Sequence, residues 1–380
     1  MRIVVATTFL PSARTSGADI ATDNVVEALR VAGHQVTVLG YTAPSGKAQE
    51  PWERSVGPAT GEWHCARPAT RLRWVLAALA CGRAVSSQKF RSPAYLRVIR
   101  ESSTACDAWL VDHHHLDWLA PPTRLPTVAV AHNLEHRLIA EQADLLPLWS
   151  PRRCLLAREA KAIARAESAC LDRSDIVWAL AEADAAALSA NGKRAVVLPL
   201  PGLPPPIGPP PAPTHDIGIL GLWTWEPNRR GLLWFLEQVV PLLPSSVSIA
   251  IAGRGCDDLP TPPQVRMLGF VDDACAFQRS SRILAIPSTA GSGIQIKSIN
   301  AIALGIPTVA TAFAMRSLDP LPHWVQIANT AEEMAACLCS ALRDAKPDPG
   351  AGAVWRRTRA ERLVRIVDDG LRSIAAASPA

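Results

Sequence analysis

Apolar residues along this chain gather into short β-rich runs, and segments of helical period separate them. The runs of the first half are RIVVATT (2–8), HQVTVLGY (34–41), AWLVD (108–112), TVAVAHN (127–133) and DIVWAL (175–180). The second half repeats the rhythm with DIGILGLW (216–223), VSIAIAG (247–253), VRMLGF (265–270), RILAIP (282–287) and PTVATA (307–312). Helices fill the gaps, notably 18–32, stopped by Gly33, and 151–172. Between the halves lies PLPGLPPPIGPPPAP (199–213). Proline lacks the N–H and fixes φ, so this stretch forms neither helix nor central strand and reads as a stiff linker. Strands alternating with helices on both sides of it predict two doubly wound α/β domains. Such sheets bind ligands at the carboxyl ends of their strands, so a cleft between the domains is the expected site.

At 380 residues the chain is long enough for two cores, and its 48% hydrophobic and 19% charged residues describe a globular protein. No apolar run reaches bilayer-spanning length, and the start, MRIVVATTFLPSAR, reads as a first strand rather than a targeting segment. A cytoplasmic protein is expected. The nine cysteines show no paired metal-ligand spacing and no disulfide framework. A net charge of +5 is too small and too spread out to imply nucleic acid as a partner. One region departs from the rhythm: residues 67–100 hold eight Lys or Arg and no Asp or Glu, interleaved with Leu72, Trp74, Leu76, Leu79, Phe90 and Tyr95. Two readings stay open there, peripheral contact with an anionic membrane on the inner face of the cell, and helices that pack an apolar stripe while exposing arginines.

The most informative segment is IPSTAGSGIQIKSINAIALGIPTVATA (286–312). It predicts a strand, a Gly/Ser loop, a helix opening near Gly293 with Lys297 on its first turns, and a return strand. Unpaired N–H groups and the aligned peptide dipoles make such a helix start a phosphate site, to which Lys297 adds a full charge. At Ser16 and Gly17 the loop after the first strand lets backbone approach a ligand. AHNLEHRL places His132, Asn133, Glu135 and His136 at a strand end. Together with Asp112, His113, His114 and His115 these permit a metal reading, but the spacing matches no ligand signature. Trp223 and Trp225 suit either stacking on a base or sugar ring or plain packing, and GFVDD (269–273) suits either reading a nucleobase edge or, through Asp272 or Asp273, capping a helix.

In order and spacing, these pieces together resemble the family 4 glycosyltransferases of the GT-B fold over nearly the whole chain. The carrying segments are GHQVTVLG, the HN-E of His132, Asn133 and Glu135, the W-x-PN turn from Trp225 to Asn228, Gly253 with Arg254, the GFV segment with Phe270 and Val271, and P-x-x-x-G-x-G-x-x-x-K from Pro287 to Lys297. The resemblance implies an acceptor-binding domain over 1–198, the linker 199–213, a nucleotide-sugar domain over 214–354, and a terminal helix over 355–380 packing back on the first domain. It implies transfer of a sugar from a nucleotide diphosphate sugar, UDP favoured, to a glycan, lipid-linked or natural-product acceptor, with retention, as in polysaccharide biosynthesis. No metal or other cofactor is expected. His132 would contact the donor sugar and Lys297 the departing diphosphate. Donor contacts are further expected from Ser16, Gly17, Trp225, Asn228, Gly253, Arg254, Phe270, Val271, Gly291, Ser292, Gly293, Ile294, Gln295 and Asn300. Many members carry glutamates where this chain has Ser292 and Asn300, the second commonly on the ribose, and Gln295 stands where a cation is frequent. Those departures keep open a non-catalytic or regulatory protein on a degenerate GT-B scaffold, with an epimerase or hydrolase as a third reading.

Overall fold

The computed structural model describes residues 1–14, 16–42, 50–58, 66–103, 106–119, 125–204, 208, 211–256, 258–291 and 293–377. The chain divides into two compact units, Met1–Pro199 with Arg362–Ala380, and Leu200–Glu361.

The first unit holds strands β1 (Arg2–Phe9), β2 (Gln35–Thr42), β3 (Glu53–Pro58), β4 (Ala108–Asp112), β5 (Thr127–Ala131), β6 (Ile176–Ala179) and β7 (Ala195–Val197). Its helices are α1 (Gly17–Val31), α2 (Pro68–Ala80), α3 (Val85–Phe90), α4 (Pro93–Ser103), α5 (Glu135–Asp144), α6 (Pro151–Asp172) and α7 (Glu182–Ala190). All neighbouring strands pair in parallel in the order β3-β2-β1-β4-β5-β6-β7, with Val4 opposite Thr37 on one side and Trp109 on the other. Parallel strands covered on both faces need apolar residues throughout, which is why AWLVD and IVWA are buried along their whole length.

The second unit holds β8 (His215–Leu220), β9 (Ile249–Ala252), β10 (Val265–Gly269), β11 (Ser281–Ile286), β12 (Thr308–Ala310) and β13 (Val325–Ile327), with α8 (Glu226–Trp234), α9 (Ala274–Arg279), α10 (Ile296–Ala303) and α11 (Ala331–Asp344). This sheet is also parallel, ordered β10-β9-β8-β11-β12-β13. Its core joins Ile217, Ile219, Ile249, Ile251 and Ile283 of the strands to Leu232, Phe235, Met334 and Leu338 of the helices. The last helix, α12 (Pro349–Ala377), begins in the second unit and ends in the first. In each sheet the chain reverses direction of growth once, between β1 and β4 and between β8 and β11, which is where open α/β sheets take ligands.

Strands β3, β7 and β13, absent from the sequence reading, are short and lie at or next to sheet edges. ERSVGP carries Gly and Pro and the other two have three residues each, so their pattern is too brief to register. The helix expected near Gly293 opens at Ile296 instead, because Gly293 has φ +64°, outside the helical region. In the expected linker, the Leu200 and Leu203 carbonyls accept from Arg359 and Arg356 of α12, at 2.9 and 3.0 Å, so 200–203 packs as part of the second unit. Residues 205–207, 209 and 210 lie outside the described residues.

The basic region 67–100 forms α2, α3 and most of α4. Its buried side chains include Trp74, Phe90, Tyr95 and Ile99, and the Tyr95 hydroxyl contacts the Thr7 and Leu39 carbonyls at 2.7 and 2.8 Å. Leu72, Leu76 and Leu79 on α2 are instead 58%, 56% and 52% exposed. That spacing puts the three leucines on one helix face. No helix among the described residues is long and apolar enough to cross a membrane.

Candidate active site

In the second unit the site grows out of the end of β11. After Ile286 the chain turns through Pro287 and Ser288, whose carbonyl accepts from the Thr311 hydroxyl, and passes Gly291 at φ +123° before entering α10. No side chain caps α10, so its first N–H groups point out of the helix without a protein acceptor from the cap position. The cap residue Gln295 is 8% exposed, and both polar atoms of its side chain lack a hydrogen-bond partner. Buried amides are rarely left so unless something outside the protein completes them. Ser292 lies outside the described residues, and Ile294 is partly exposed in the loop.

Lys297 is the second residue of α10. Its Nζ donates to Asn228 Oδ1 at 3.1 Å and stands 6.0 Å from the centre of the Trp223 ring. No carboxylate pairs with it among the described residues. Burial, with a smaller contribution from the neighbouring Arg316 charge, draws its ammonium down from 10.5 to about 7. A buried cation without a counter-ion is unstable unless an anion arrives. Asn228 reaches Lys297 because α8 lies hard against the end of β11: a Cβ on Gly231 would stand 2.2 Å from the Pro287 carbonyl oxygen. Gly231 was not singled out from the sequence. Its signal was there, a glycine inside a helix, where it costs stability unless close packing requires it.

The remaining expected donor contacts divide. Trp225 is partly exposed at the start of α8, and its ring would lie 3.0 Å from a Cβ on Gly291, so it borders the loop. Trp223, also offered for stacking, is a core residue at 1% exposure whose Nε1 donates to the Ala252 carbonyl at 3.0 Å. Arg254 is exposed, with its guanidinium 4.4 Å from the ring centre of Phe270, itself 55% exposed. Val271 packs by Ala250, Ala252 and Phe277. Gly253 serves the backbone instead: a Cβ would meet the Gly221 carbonyl oxygen at 1.6 Å. Asn300 is 4% exposed, and its Oδ1 accepts from Leu203 N–H at 2.9 Å. The residue expected on the ribose thus has its acceptor committed to the chain entering this unit.

The first unit has a separate cluster of its own at the ends of β4 and β5. Asp112, 1% exposed, accepts from Thr7 and Thr22 hydroxyls at 2.7 Å each through Oδ2, and its Oδ1 meets His132 Nε2 at 2.6 Å. Burial alone would raise this carboxyl, but the electrostatic influence of the His113 and His132 imidazoles and the hydrogen bonds from His132 and Thr22 outweigh it and hold Asp112 well below the ordinary range. An ionised carboxylate only accepts, so in this pair His132 Nε2 carries the proton. His113 stacks on His132 with ring centres 3.9 Å apart and adopts φ +83°, a strained backbone at the strand tip. Burial draws His113 down to about 4 and His114 to about 3, and puts His115 well below its usual value, so all three are neutral. Ser16 caps α1 and Gly17 is its first residue: Ser16 Oγ accepts from Asp19 N–H at 3.2 Å, and Asp19 returns the bond to Ser16 N–H at 3.0 Å. This reciprocal cap uses the Ser16 side chain locally.

The family described as Glycosyl transferases group 1 matches residues 214–344. Over those residues the second unit is similar to the group 1 glycosyltransferases. Among solved structures, Anabaena HepE, in complex with UDP and glucose, aligns over all of both chains with 12% identity and a TM-score of 0.61. A UDP-forming α,α-trehalose-phosphate synthase from Burkholderia xenovorans aligns over 98% of this chain and 99% of its own, with 12% identity and a TM-score of 0.58. These likenesses identify the fold as GT-B, built from two Rossmann-like domains. No curated protein sequence matches the chain. Within the matched region, Lys297, Asn228, Gln295, Trp225 and Gly291 gather around the start of α10, whereas Asn300 and Trp223 are buried and Gly253 is packed against the Gly221 carbonyl.

Proposed function

We propose that the protein transfers a sugar from a UDP-sugar to a glycan, lipid-linked or natural-product acceptor, with retention and without a metal. The observation that carries this reading is Lys297, a cation with no counter-ion among the described residues, held at an uncapped helix start beside an amide whose polar atoms are unpaired. Cleavage of a sugar–diphosphate bond leaves charge on the leaving oxygen, and fixed positive charge at that point lowers the barrier most. Lys297 and the α10 N–H groups supply it here, the part a metal ion would otherwise play. Arriving diphosphate also completes the protonation of Lys297, so binding and charge stabilisation reinforce one another. UDP is favoured because both HepE and the Burkholderia synthase are described with UDP as ligand or product. His132 is assigned to the donor sugar, its tautomer fixed by Asp112.

For the acceptor side, the leucine face of α2 with Arg67, Arg71 and Arg73 supports peripheral contact with an anionic membrane, each cation adding about 1 kcal/mol. Flotation with phosphatidylglycerol vesicles at low salt tests this. Leu72→Gln, Leu76→Gln and Leu79→Gln together should abolish flotation without loss of fold; absence of flotation in the parent protein removes the membrane from the proposal.

Calorimetric titration with UDP, GDP and ADP, with and without a divalent chelator, tests the main reading. Micromolar binding of UDP that survives chelation supports it. Failure of all three nucleotides would favour the non-catalytic scaffold, to which the committed acceptor of Asn300 gives some physical basis. Proton spectroscopy of the product then reads the anomeric outcome.

A further inference from the structure

The first unit contains a second cluster of potential ligands, apart from the His132–Asp112 pair. His114 and His115 lie on a single 3₁₀ turn, His114–Leu116, after β4, and Glu135 is the first residue of α5. His114 Nε2 and Glu135 Oε2 are 3.2 Å apart, and His115 Nε2 and the same oxygen 3.6 Å, with all three atoms within 4.8 Å of one another. Zinc bonds of about 2.0–2.2 Å at tetrahedral angles set ligand atoms about 3.3–3.5 Å apart, so two edges of the triangle already have the dimensions of a site. The His114 Nε2 atom is buried and makes no hydrogen bond, despite its distance from Glu135. Its alignment suits a shared third atom rather than a direct bond. On the far side of that ring, Nδ1 faces Glu167 Oε1 at 3.9 Å, the direction from which carboxylates support metal-bound histidines.

We propose that His114, His115 and Glu135 bind one divalent transition-metal ion, zinc by their donor set, with a fourth position open to water. Two imidazoles and one carboxylate suit zinc, and exclude calcium and magnesium, which take oxygen ligands. Glu135, with 26% of its side chain exposed, gives the ion its path in. The other triad, Asp112, His113 and His132, is poorer because Asp112 already accepts three hydrogen bonds. This site is separate from the diphosphate chemistry assigned to Lys297, and its test does not depend on that assignment.

The test uses the full chain, stripped with chelator, titrated with zinc chloride and, in parallel, cobalt chloride. We expect one zinc per chain and a cobalt adduct with the visible absorption of a tetrahedral site. Glu135→Gln keeps shape and polarity but removes the anionic ligand, and should weaken zinc by about 100-fold or more, at least the loss known for supporting residues. His115→Ala should do the same, while His132→Ala should leave stoichiometry and spectrum intact. Should His115→Ala fail to fold, Glu135→Gln decides alone, its fold checked by circular dichroism. Absence of stoichiometric uptake overturns the proposal, as does uptake that Glu135→Gln leaves unchanged or His132→Ala removes.

Discussion

Replacing Lys297 with methionine separates what this side chain does for folding from what it does for ligand. Methionine keeps the unbranched stem and fills the same channel without charge. The fall from 10.5 to about 7 corresponds, at about 1.36 kcal/mol per pH unit, to roughly 5 kcal/mol held against the protonated form. Because the side chain keeps some contact with solvent, we take about half of that, and losing the 3.1 Å bond to Asn228 gives back about 1 kcal/mol. A net stabilisation of about 1–2 kcal/mol is expected at pH 7, raising the melting temperature of the second unit by about 2–6 °C. Affinity for UDP should move the other way. A charge-assisted hydrogen bond contributes about 1.5–3 kcal/mol, so the variant should bind UDP about 10- to 150-fold more weakly. Scanning calorimetry and titration calorimetry on the same preparation read both. A variant that melts lower than the parent, or binds UDP as tightly, would refute the picture of an uncompensated cation awaiting an anion.

Three further outcomes follow from the same geometry. Since Lys297 is depressed in the folded protein, the folded state binds fewer protons than the unfolded one between pH 7 and 10.5, so its destabilising effect is fully present below pH 7 and is relieved as pH rises through that window. Diphosphate favours the protonated form, so UDP affinity should fall above pH 7 at up to about tenfold per pH unit, a dependence absent in Lys297→Met; a flat titration profile would contradict it. Asp112→Asn leaves the carbonyl accepting from His132 but adds an amide donor beside two hydroxyls, and it should lower kcat by about 10-fold or more with little change in UDP affinity, read by steady-state kinetics and calorimetry. Gly231→Ala forces a methyl to 2.2 Å from the Pro287 carbonyl oxygen, so α8 must shift; about 1–3 kcal/mol of destabilisation and weaker UDP binding are expected, and a neutral substitution would show that Asn228 needs no such close approach.

The sequence by itself determined the two-sheet plan. Strands such as AWLVD and VSIAIAG are apolar at almost every position because both faces of a parallel sheet are covered, and that signal is local. The helix start carrying Lys297 was legible for the same reason, since a Gly/Ser loop between strand and helix is a short-range pattern, although the left-handed Gly293 moved the start to Ile296. What the tertiary structure alone decided is which polar groups are committed and which are free. Asn300 and Trp223 carry side chains fit for a ligand, yet the chain at Leu203 and the carbonyl of Ala252 occupy them, and both partners are far away in sequence. Lys297 in turn meets an asparagine of α8, brought there by the close packing at Gly231, and no carboxylate among the described residues. The meeting of His114 and His115 with Glu135 likewise depends on β4 and β5 being neighbours in the sheet, so no spacing along the chain announces it. Hydrophobic periodicity is written residue by residue, whereas hydrogen-bond saturation and charge balance are properties of surroundings that exist only after folding.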